Sequence, residues 1–196
     1  MWSKIKRRLI KPPLPKLEDG EVNLHLGCGH INHPKFINID LLVAPHIHYV
    51  RPIDDLSVFK NKSVNLVYAC HCLEHFSHVK TPRVLAEWFR VLKNDGILRL
   101  SVPDFDLLLD IYKVAGNNIN VVLPPLFGGQ EYKLNFHMTA FNHSSLEELL
   151  KEAGFRNIQK WEPKSSELTS IDDFSDYVFE IRGKKYPVSL NLEATK

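Results

Sequence analysis

The chain has 196 residues, 44% of them apolar, which is enough for one buried core of the usual single-domain size. Its formal net charge of +2 is close to neutral and both signs are spread along the chain, so we expect no nucleic-acid partner. The apolar runs are interrupted well before the roughly 20 residues that cross a bilayer, so we also expect no integral membrane segment.

The amino terminus, residues 1–20, is first basic and then rich in proline. We interpret it as an arm that leads into a single domain spanning residues 21–196. Four apolar residues of the arm could form one side of a short basic helix with weak contact to a membrane surface, or the arm packs on its own domain; they are Trp2, Ile5, Leu9 and Ile10. The arm lacks the apolar core and cleavage site of a secretory signal, and the three cysteines do not form a disulfide framework. We therefore expect a cytoplasmic protein.

From Glu21 onward, short apolar runs alternate with helical periods, which is typical of a parallel sheet covered by helices. We predict strands at 22–26, 36–39, 48–50, 64–69, 97–102 and 158–161, and a strand with one polar face at 189–194. Residues 163–185 show no regular pattern. The fold class that follows is α/β, a Rossmann-like, doubly wound, mostly parallel sheet with an antiparallel strand near the carboxyl terminus.

Two helices carry clear end signals. The first begins with Thr81 as its N-cap and ends at a left-handed stop at 94–96. The second begins at Ser144, which has the capping-box spacing to Glu147, and ends at Gly154.

The first predicted strand ends in a turn with two glycines, Gly27 and Gly29, and the next strand ends in Asp40. Such glycines let a ligand approach the main chain, and a carboxylate at the neighbouring strand end can accept both hydroxyl protons of a ribose. Only eleven positions separate Gly29 from Asp40, where dinucleotide-binding folds use about twenty. The first helix is therefore reduced, and a nucleoside ligand without phosphates suits the site better than a dinucleotide.

Several further motifs follow in order along the chain. They are 26–29, 38–40, 55–56, 63–68, 71–75, 102–104 and 146–155. With these motifs the sequence resembles the class I S-adenosylmethionine-dependent methyltransferases, and among them a small bacterial branch, similar to methyltransferase type 11, that is often associated with surface-polysaccharide genes. The resemblance spans roughly residues 22–160 and includes the ending at 189–194.

The resemblance implies that S-adenosylmethionine is the cofactor. The residues that it places around the cofactor are Leu26, Gly27, Cys28, Gly29, Asp40, Leu41, Asp54, Asp55, Leu56, Cys70 and His71. The glycines would lie beneath the methionine part, Asp40 would hold the ribose hydroxyls, 54–56 would flank the adenine, and Cys70 with His71 would line the sulfonium side. Pro52 stands where related sequences often have aspartate, which leaves the adenine carboxylate open between Asp54 and Asp55.

A hydroxyl acceptor needs a nearby proton acceptor, because an alcohol is a poor nucleophile while protonated. Our candidates are His71 and His137, with Asp104 as an orienting or basic carboxylate. The alternative is that each simply satisfies polar main-chain groups in its loop. His137 lies in the long insertion before the second capped helix, which in this fold usually shapes the acceptor pocket. We therefore expect O-methylation of a small-molecule or glycan acceptor, such as a sugar, in polysaccharide biosynthesis.

Two other functions stay open. The same pocket could serve a non-catalytic cofactor-binding or scaffold protein. The segment from Cys70 to His78 could instead hold zinc, because His71 and His75 are four positions apart and Cys28 could approach from the neighbouring strand. In the interpretation that we prefer, an S-adenosylmethionine-dependent methyltransferase, the site holds no metal and Glu74 with His75 begins a helix.

Overall fold

The computed structural model describes residues 12–15 and 20–196. The helix predicted within the amino-terminal arm lies outside these residues. No helix of the described residues is both long enough and apolar enough to span a membrane.

Within the described residues, nine strands form a seven-stranded sheet and a separate hairpin. They are β1 Asn23–Leu26, β2 Ile37–Asp40, β3 Tyr49–Val50, β4 Val64–Cys70, β5 Leu92–Pro103, β6 Arg156–Lys160, β7 Val178–Ile181, β8 Lys184–Pro187 and β9 Ser189–Thr195. The sheet has the order β3-β2-β1-β4-β5-β9-β6, in which β9 runs antiparallel to both of its neighbours and the other pairs are parallel. The predicted Rossmann-like sheet with an antiparallel strand near the carboxyl terminus is confirmed.

Four α-helices lie in the part of the chain that the structure describes. They are α1 Thr81–Val91, α2 Phe105–Val114, α3 Leu123–Phe127 and α4 His143–Glu152. The segment between β1 and β2 contains no helix, in agreement with the predicted reduction of the first helix. The carboxyl end of β1 is therefore joined to the amino end of β2 by a short loop without a helix.

Both helix starts differ from the prediction. Thr81 is the first helical residue and not the N-cap, and its hydroxyl donates to the carbonyl of Ser77 in the preceding turn. The cap of α4 is Asn142 and not Ser144: the Asn142 side chain accepts from the amide of Ser145, and the Ser145 hydroxyl accepts from the amide of Asn142. Asparagine two positions earlier offers the same reciprocal bonding, so the serine falls inside the helix.

The end of α1 also differs from the prediction. The helix stops at Val91 and the chain enters β5 at once, because Leu92 is already extended. The predicted stop at 94–96 lies inside β5, where Asp95 is left-handed and the pairing of β5 with β4 shifts its register. The turn residues therefore form an irregularity in the strand and do not end the helix.

One face of the sheet carries the main apolar core. Alternate residues of the strands point to this face, and α1 and α4 pack on it through Trp88, Leu146 and Leu150. Trp88 is fully buried, and its indole nitrogen donates to the carbonyl of Ile53, which ties α1 to the loop after β3.

The opposite face is aromatic and polar. His25 packs edge-to-face on Phe36 and Tyr68, and Tyr68 packs on Trp161. The β7–β8 hairpin, in the segment that showed no regular pattern, turns at Arg182 and Gly183, both left-handed as a type I′ turn requires.

Candidate functional site

The carboxyl ends of β1, β2 and β4 lie side by side and form one edge of the sheet. At the end of β1, Gly27 has a φ of +63°, and a Cβ on it would lie 2.6 Å from Sγ of Cys72. Gly29 has a φ of +55°, and a Cβ there would meet nothing within 4 Å. The first glycine is therefore required by packing beneath the turn, whereas the second leaves the main chain open to a ligand.

Asp40 ends β2 directly beside this turn. One carboxylate oxygen accepts from the amide of Gly29 at 2.8 Å, and the other accepts from the amide of Leu42 at 2.7 Å. The Nε2 of His46 lies 2.9 Å from the Gly29 carbonyl, so this ring nitrogen is the donor. The structure thus brings the predicted turn and carboxylate together, and a fixed carboxylate beside an open turn fits the diol and amino-acid tail of a nucleoside such as S-adenosylmethionine.

The two carboxylates that sequence analysis considered for the adenine end have protein partners. Asp54 forms an ion pair with Lys80 at 2.7 Å. Asp55 accepts hydrogen bonds from Ser57 and from Arg51, which lower the pKa of its carboxyl to about 2. Both carboxylates are therefore held by protein partners in the loop after β3.

Side-chain exposure divides four other residues predicted around the cofactor. Leu26, Cys28 and Leu56 have buried side chains, so only their main chains can face a ligand, while Leu41 is 47% exposed. The side chain of Leu56 lies in the core, so this residue could flank an adenine only through its main chain. Burial, followed by the charge of Asp40, raises the pKa of the Cys28 thiol to about 12, so this thiol is neutral.

His71 follows Cys70 at the end of β4 and has a φ of +49°, which is uncommon for a residue with a side chain. Its Nε2 lies 2.8 Å from Oγ of Ser189, and the Ser189 hydroxyl donates its own proton to the carbonyl of Phe174. The Nε2 of His71 is therefore the protonated nitrogen, and its Nδ1 carries the lone pair. That Nδ1 lies 3.5 Å from Oε1 of Glu74.

Glu74 is the functional candidate that sequence reasoning missed. It lies in the 3₁₀ turn Leu73–His75 after β4, and it is 1% exposed. Neither of its carboxylate oxygens has a hydrogen-bond partner among residues 12–15 and 20–196. The Nε2 of His137 lies 3.9 Å from Oε1 of Glu74, and the rings of His75 and His137 are 4.8 Å apart. We call His71, Glu74, His75 and His137 the histidine–glutamate cluster.

Main-chain bonds bring the insertion to this cluster. The amide of Met138 donates to the Glu74 carbonyl at 2.8 Å, and the hydroxyl of Thr139 donates to the carbonyl of Phe76 at 2.9 Å. These bonds hold the segment that carries His137 against the turn after β4. The insertion therefore contributes a side chain to the edge at which the parallel strands end.

Burial sets the charges of the cluster. It lowers the pKa of His71 to about 3 and that of His137 to about 4, in each case with help from neighbouring histidines. Burial also raises the pKa of the Glu74 carboxyl to about 8. Near pH 7 the histidines are therefore neutral, with a free lone pair on each ring, and the Glu74 carboxyl is largely protonated.

Asp104 takes a different place. Its side chain accepts from the amide of Asp106 and so caps α2. Burial raises the pKa of its carboxyl. Among the described residues its side-chain bonds go to α2 and not to the histidines, so the structure does not bring it into the cluster.

The thiols of the segment from Cys70 to His78 do not join the histidines. Cys72 donates to the carbonyls of Leu26 and Cys70, and burial raises its pKa well above the ordinary value. His78 is exposed. A thiolate site of the predicted kind would need Cys72 to leave its place beneath the β1 turn.

The sequence and the fold of this chain are both similar to those of methyltransferases. The family model described as a methyltransferase domain matches residues 5–160. A S-adenosylmethionine-dependent methyltransferase from Archaeoglobus fulgidus superposes with a TM-score of 0.57 at 15% identity, covering 100% of this chain and 93% of that one. A S-adenosylmethionine-dependent methyltransferase from Thermotoga maritima gives 0.56 at 14% identity, with coverage of 100% and 88%.

A third similar structure holds ligands. It is the Burkholderia thailandensis 1,6-didemethyltoxoflavin-N1-methyltransferase with bound 1,6-didemethyltoxoflavin and S-adenosylhomocysteine, with a TM-score of 0.53 at 16% identity and coverage of 99% of this chain and 76% of that one. Curated protein sequences give no match to this chain. At these identities the structural similarity shows the fold, whereas the family is shown by the sequence model.

Proposed function

Because this chain belongs to the methyltransferase domain family and is a S-adenosylmethionine-dependent enzyme, we propose that it methylates a hydroxyl group of a sugar or related small molecule. The observation that carries the proposal is the histidine–glutamate cluster at the end of β4, beside the glycine turn. Such a cluster supplies the proton acceptor that a hydroxyl nucleophile needs and that a more basic, unprotonated nucleophile does not.

The turn after β1 and the end of β2 are the proposed cofactor site. The open main chain at Gly29 would lie against the methionine part, and Asp40 would accept the ribose hydroxyls. The loop with Asp54 and Asp55 would lie at the adenine end, and Cys70 would lie on the sulfonium side. When bound, S-adenosylmethionine supplies a methyl group on a sulfonium, which is a good leaving group. The chain's main contribution is therefore alignment.

His71 is the proposed proton acceptor. It lies at the end of β4, and its Nδ1 carries a lone pair, with the Glu74 carboxyl at 3.5 Å, which in its ionised form would stabilise the imidazolium that forms. His137 presents a second free nitrogen to the same carboxylate. Asp104 would act indirectly, because its side chain caps α2 and so fixes the start of the segment that leads to His137.

The proposal extends to the cellular setting. We place the reaction in the cytoplasm and in polysaccharide biosynthesis, with a small glycan or nucleotide sugar as the acceptor. The support is the resemblance of the sequence motifs to a branch often associated with surface-polysaccharide genes, together with the near-neutral charge.

The test uses S-adenosylmethionine labelled with ¹³C in its methyl group. The purified chain is incubated with a mixture of sugars and nucleotide sugars, and the methyl carbon of the product is observed by NMR. A methyl-ether signal is expected, and its shift differs from that of a methyl group on nitrogen. Products methylated only on nitrogen would overturn the hydroxyl acceptor. Calorimetric binding of the cofactor with no product from any acceptor would favour the non-catalytic scaffold.

A further inference from the structure

The free lone pairs of the histidine–glutamate cluster are arranged so that they could bind a cation. The Nδ1 of His137 lies 3.0 Å from the carbonyl of Pro125, and the Nδ1 of His75 lies 3.1 Å from the carbonyl of Phe136. A carbonyl oxygen only accepts, so each Nδ1 is the protonated nitrogen and each Nε2 carries the lone pair. His71 has the opposite tautomer, with its lone pair on Nδ1.

These free nitrogens lie around a carboxylate. Nε2 of His137 is 3.9 Å and Nδ1 of His71 is 3.5 Å from the same oxygen of Glu74, and the side chain of Glu74 is fully buried with no hydrogen-bond donor in the described part of the chain. Lone pairs that face one another across a dry space repel, and a buried carboxylate without a partner is costly. A positive ion among them removes both penalties.

We propose that Glu74, His75 and His137 bind a divalent transition-metal ion. One ligand atom from each of these residues lies within 4.8 Å of the others. A tetrahedral ion with bonds of about 2.1 Å needs ligand atoms about 3.4 Å apart, so small side-chain rotations close the site. No thiolate takes part, which distinguishes this site from a zinc cluster built on Cys70 and Cys72.

The donor set indicates the class of metal. Two imidazoles and one carboxylate suit zinc, iron, cobalt or nickel, whereas magnesium and calcium prefer oxygen ligands throughout. Three protein ligands also leave coordination positions open, as in catalytic rather than structural zinc sites.

Main-chain groups around the cluster orient the proposed ligands before an ion binds. The carbonyls of Pro125 and Phe136 fix the two histidine tautomers in the way that outer partners do at metal sites. The amide of Met138 holds the insertion to the main chain of Glu74 itself. A bound ion would lie next to His71, where it could also polarise the acceptor hydroxyl; this consequence rests on the proposed function, whereas ion binding does not.

The test measures ion binding without catalysis. The full chain is stripped with a chelator, desalted and titrated with ZnCl₂ or CoCl₂, and bound ions are counted by mass spectrometry. We expect one ion per chain, a visible absorption band for cobalt, and a rise in the melting temperature. Glu74→Gln and His137→Ala should weaken binding by more than the 10–100-fold that loss of an outer partner costs. The matched control His143→Ala removes an exposed histidine of α4 and should bind as the native chain does.

Two results would overturn the inference: no stoichiometric ion in the native chain, or equal affinity in Glu74→Gln. The glutamine variant keeps the shape of the side chain and removes only its ability to ionise, so it should fold, and its melting curve without metal verifies this. The ¹³C assay, repeated in chelator, separates the two proposals. Methyl ether formed in chelator, together with no stoichiometric ion in the native chain, would leave the proposed function standing and remove the metal site, whereas ion binding without a methylated hydroxyl would do the reverse.

Discussion

The two halves of the site are built by different means. The proposed cofactor half, at the ends of β1 and β2, consists largely of main chain: a glycine turn, two amides and one carboxylate that they hold. The proposed acceptor half, at the end of β4 and in the insertion before α4, consists of side chains that meet from distant positions, such as those of Glu74 and His137. A local, main-chain site tolerates little change in backbone shape, whereas a site of converging side chains should lose chemistry before it loses stability.

His71→Ala should have the largest effect, and this effect should be confined to the proposed acceptor half. Loss of a positioned proton acceptor typically costs about 10²–10⁴-fold in rate, so kcat should fall by that amount while cofactor affinity changes by less than about 10-fold. Single-turnover methyl transfer and calorimetry measure the two quantities. His143→Ala should leave both unchanged. Unaltered turnover in His71→Ala would place the proton acceptor elsewhere.

Asp40→Ala should affect the cofactor half. Hydrogen bonds to a charged group contribute about 1.5–3 kcal/mol each, so losing the grip on a diol should weaken binding of S-adenosylmethionine and its demethylated product by about 100-fold. Calorimetric titration is the measurement. Asp110→Ala, which removes an exposed carboxylate of α2, is the control and should bind normally. Native affinity in Asp40→Ala would remove this residue from the cofactor site.

Gly27→Ala should lower stability. The new Cβ would lie 2.6 Å from the sulfur of Cys72 in a left-handed backbone, so the free energy of unfolding should fall by about 2–4 kcal/mol. Urea denaturation measures this loss. The double variant Gly27→Ala/Cys72→Ala removes the clash but keeps the backbone strain, and it should lose less than the sum of the two single variants. Additive losses would show that packing against Cys72 is not the reason for glycine here.

Gly29→Ala should have the smallest effect on stability and a selective effect on binding. Gly29 and Gly183 are both left-handed, and a Cβ on either meets nothing within 4 Å, so each alanine should cost about 1 kcal/mol. Only the Gly29 variant should also bind the cofactor more weakly, because its Cβ would occupy the space proposed for the methionine part. Equal binding by both variants would show that no ligand lies against this turn.

The proposed cofactor half could be predicted from the sequence because its parts are close together along the chain. Gly27, Gly29 and Asp40 each follow a strand that alternation predicts, and adjacent parallel strands must end at the same edge. The mostly parallel sheet with an antiparallel strand near the carboxyl terminus was predicted from similar local patterns and from the family resemblance, whereas the order of the strands was not predicted.

The acceptor half could not be predicted in the same way. Glu74 looks like an ordinary acidic residue at a helix start, and its isolation from hydrogen-bond donors appears only once the turn after β4 is buried beneath the insertion. The nearest signal was the spacing of His71, Glu74 and His75, but nothing local points to His137 as their neighbour. The caps of α1 and α4 were missed for a simpler reason, since several polar residues near each start could have served.

The cysteines can report on local opening of the proposed cofactor half. All three of the chain, Cys28, Cys70 and Cys72, lie at this edge, and burial raises the pKa of each thiol so that the reactive thiolate is scarce in the folded state. Alkylation must therefore wait for transient opening of the edge, and its rate counts those openings. A ligand that closes over the glycine turn would slow the modification, with no probe introduced anywhere in the molecule.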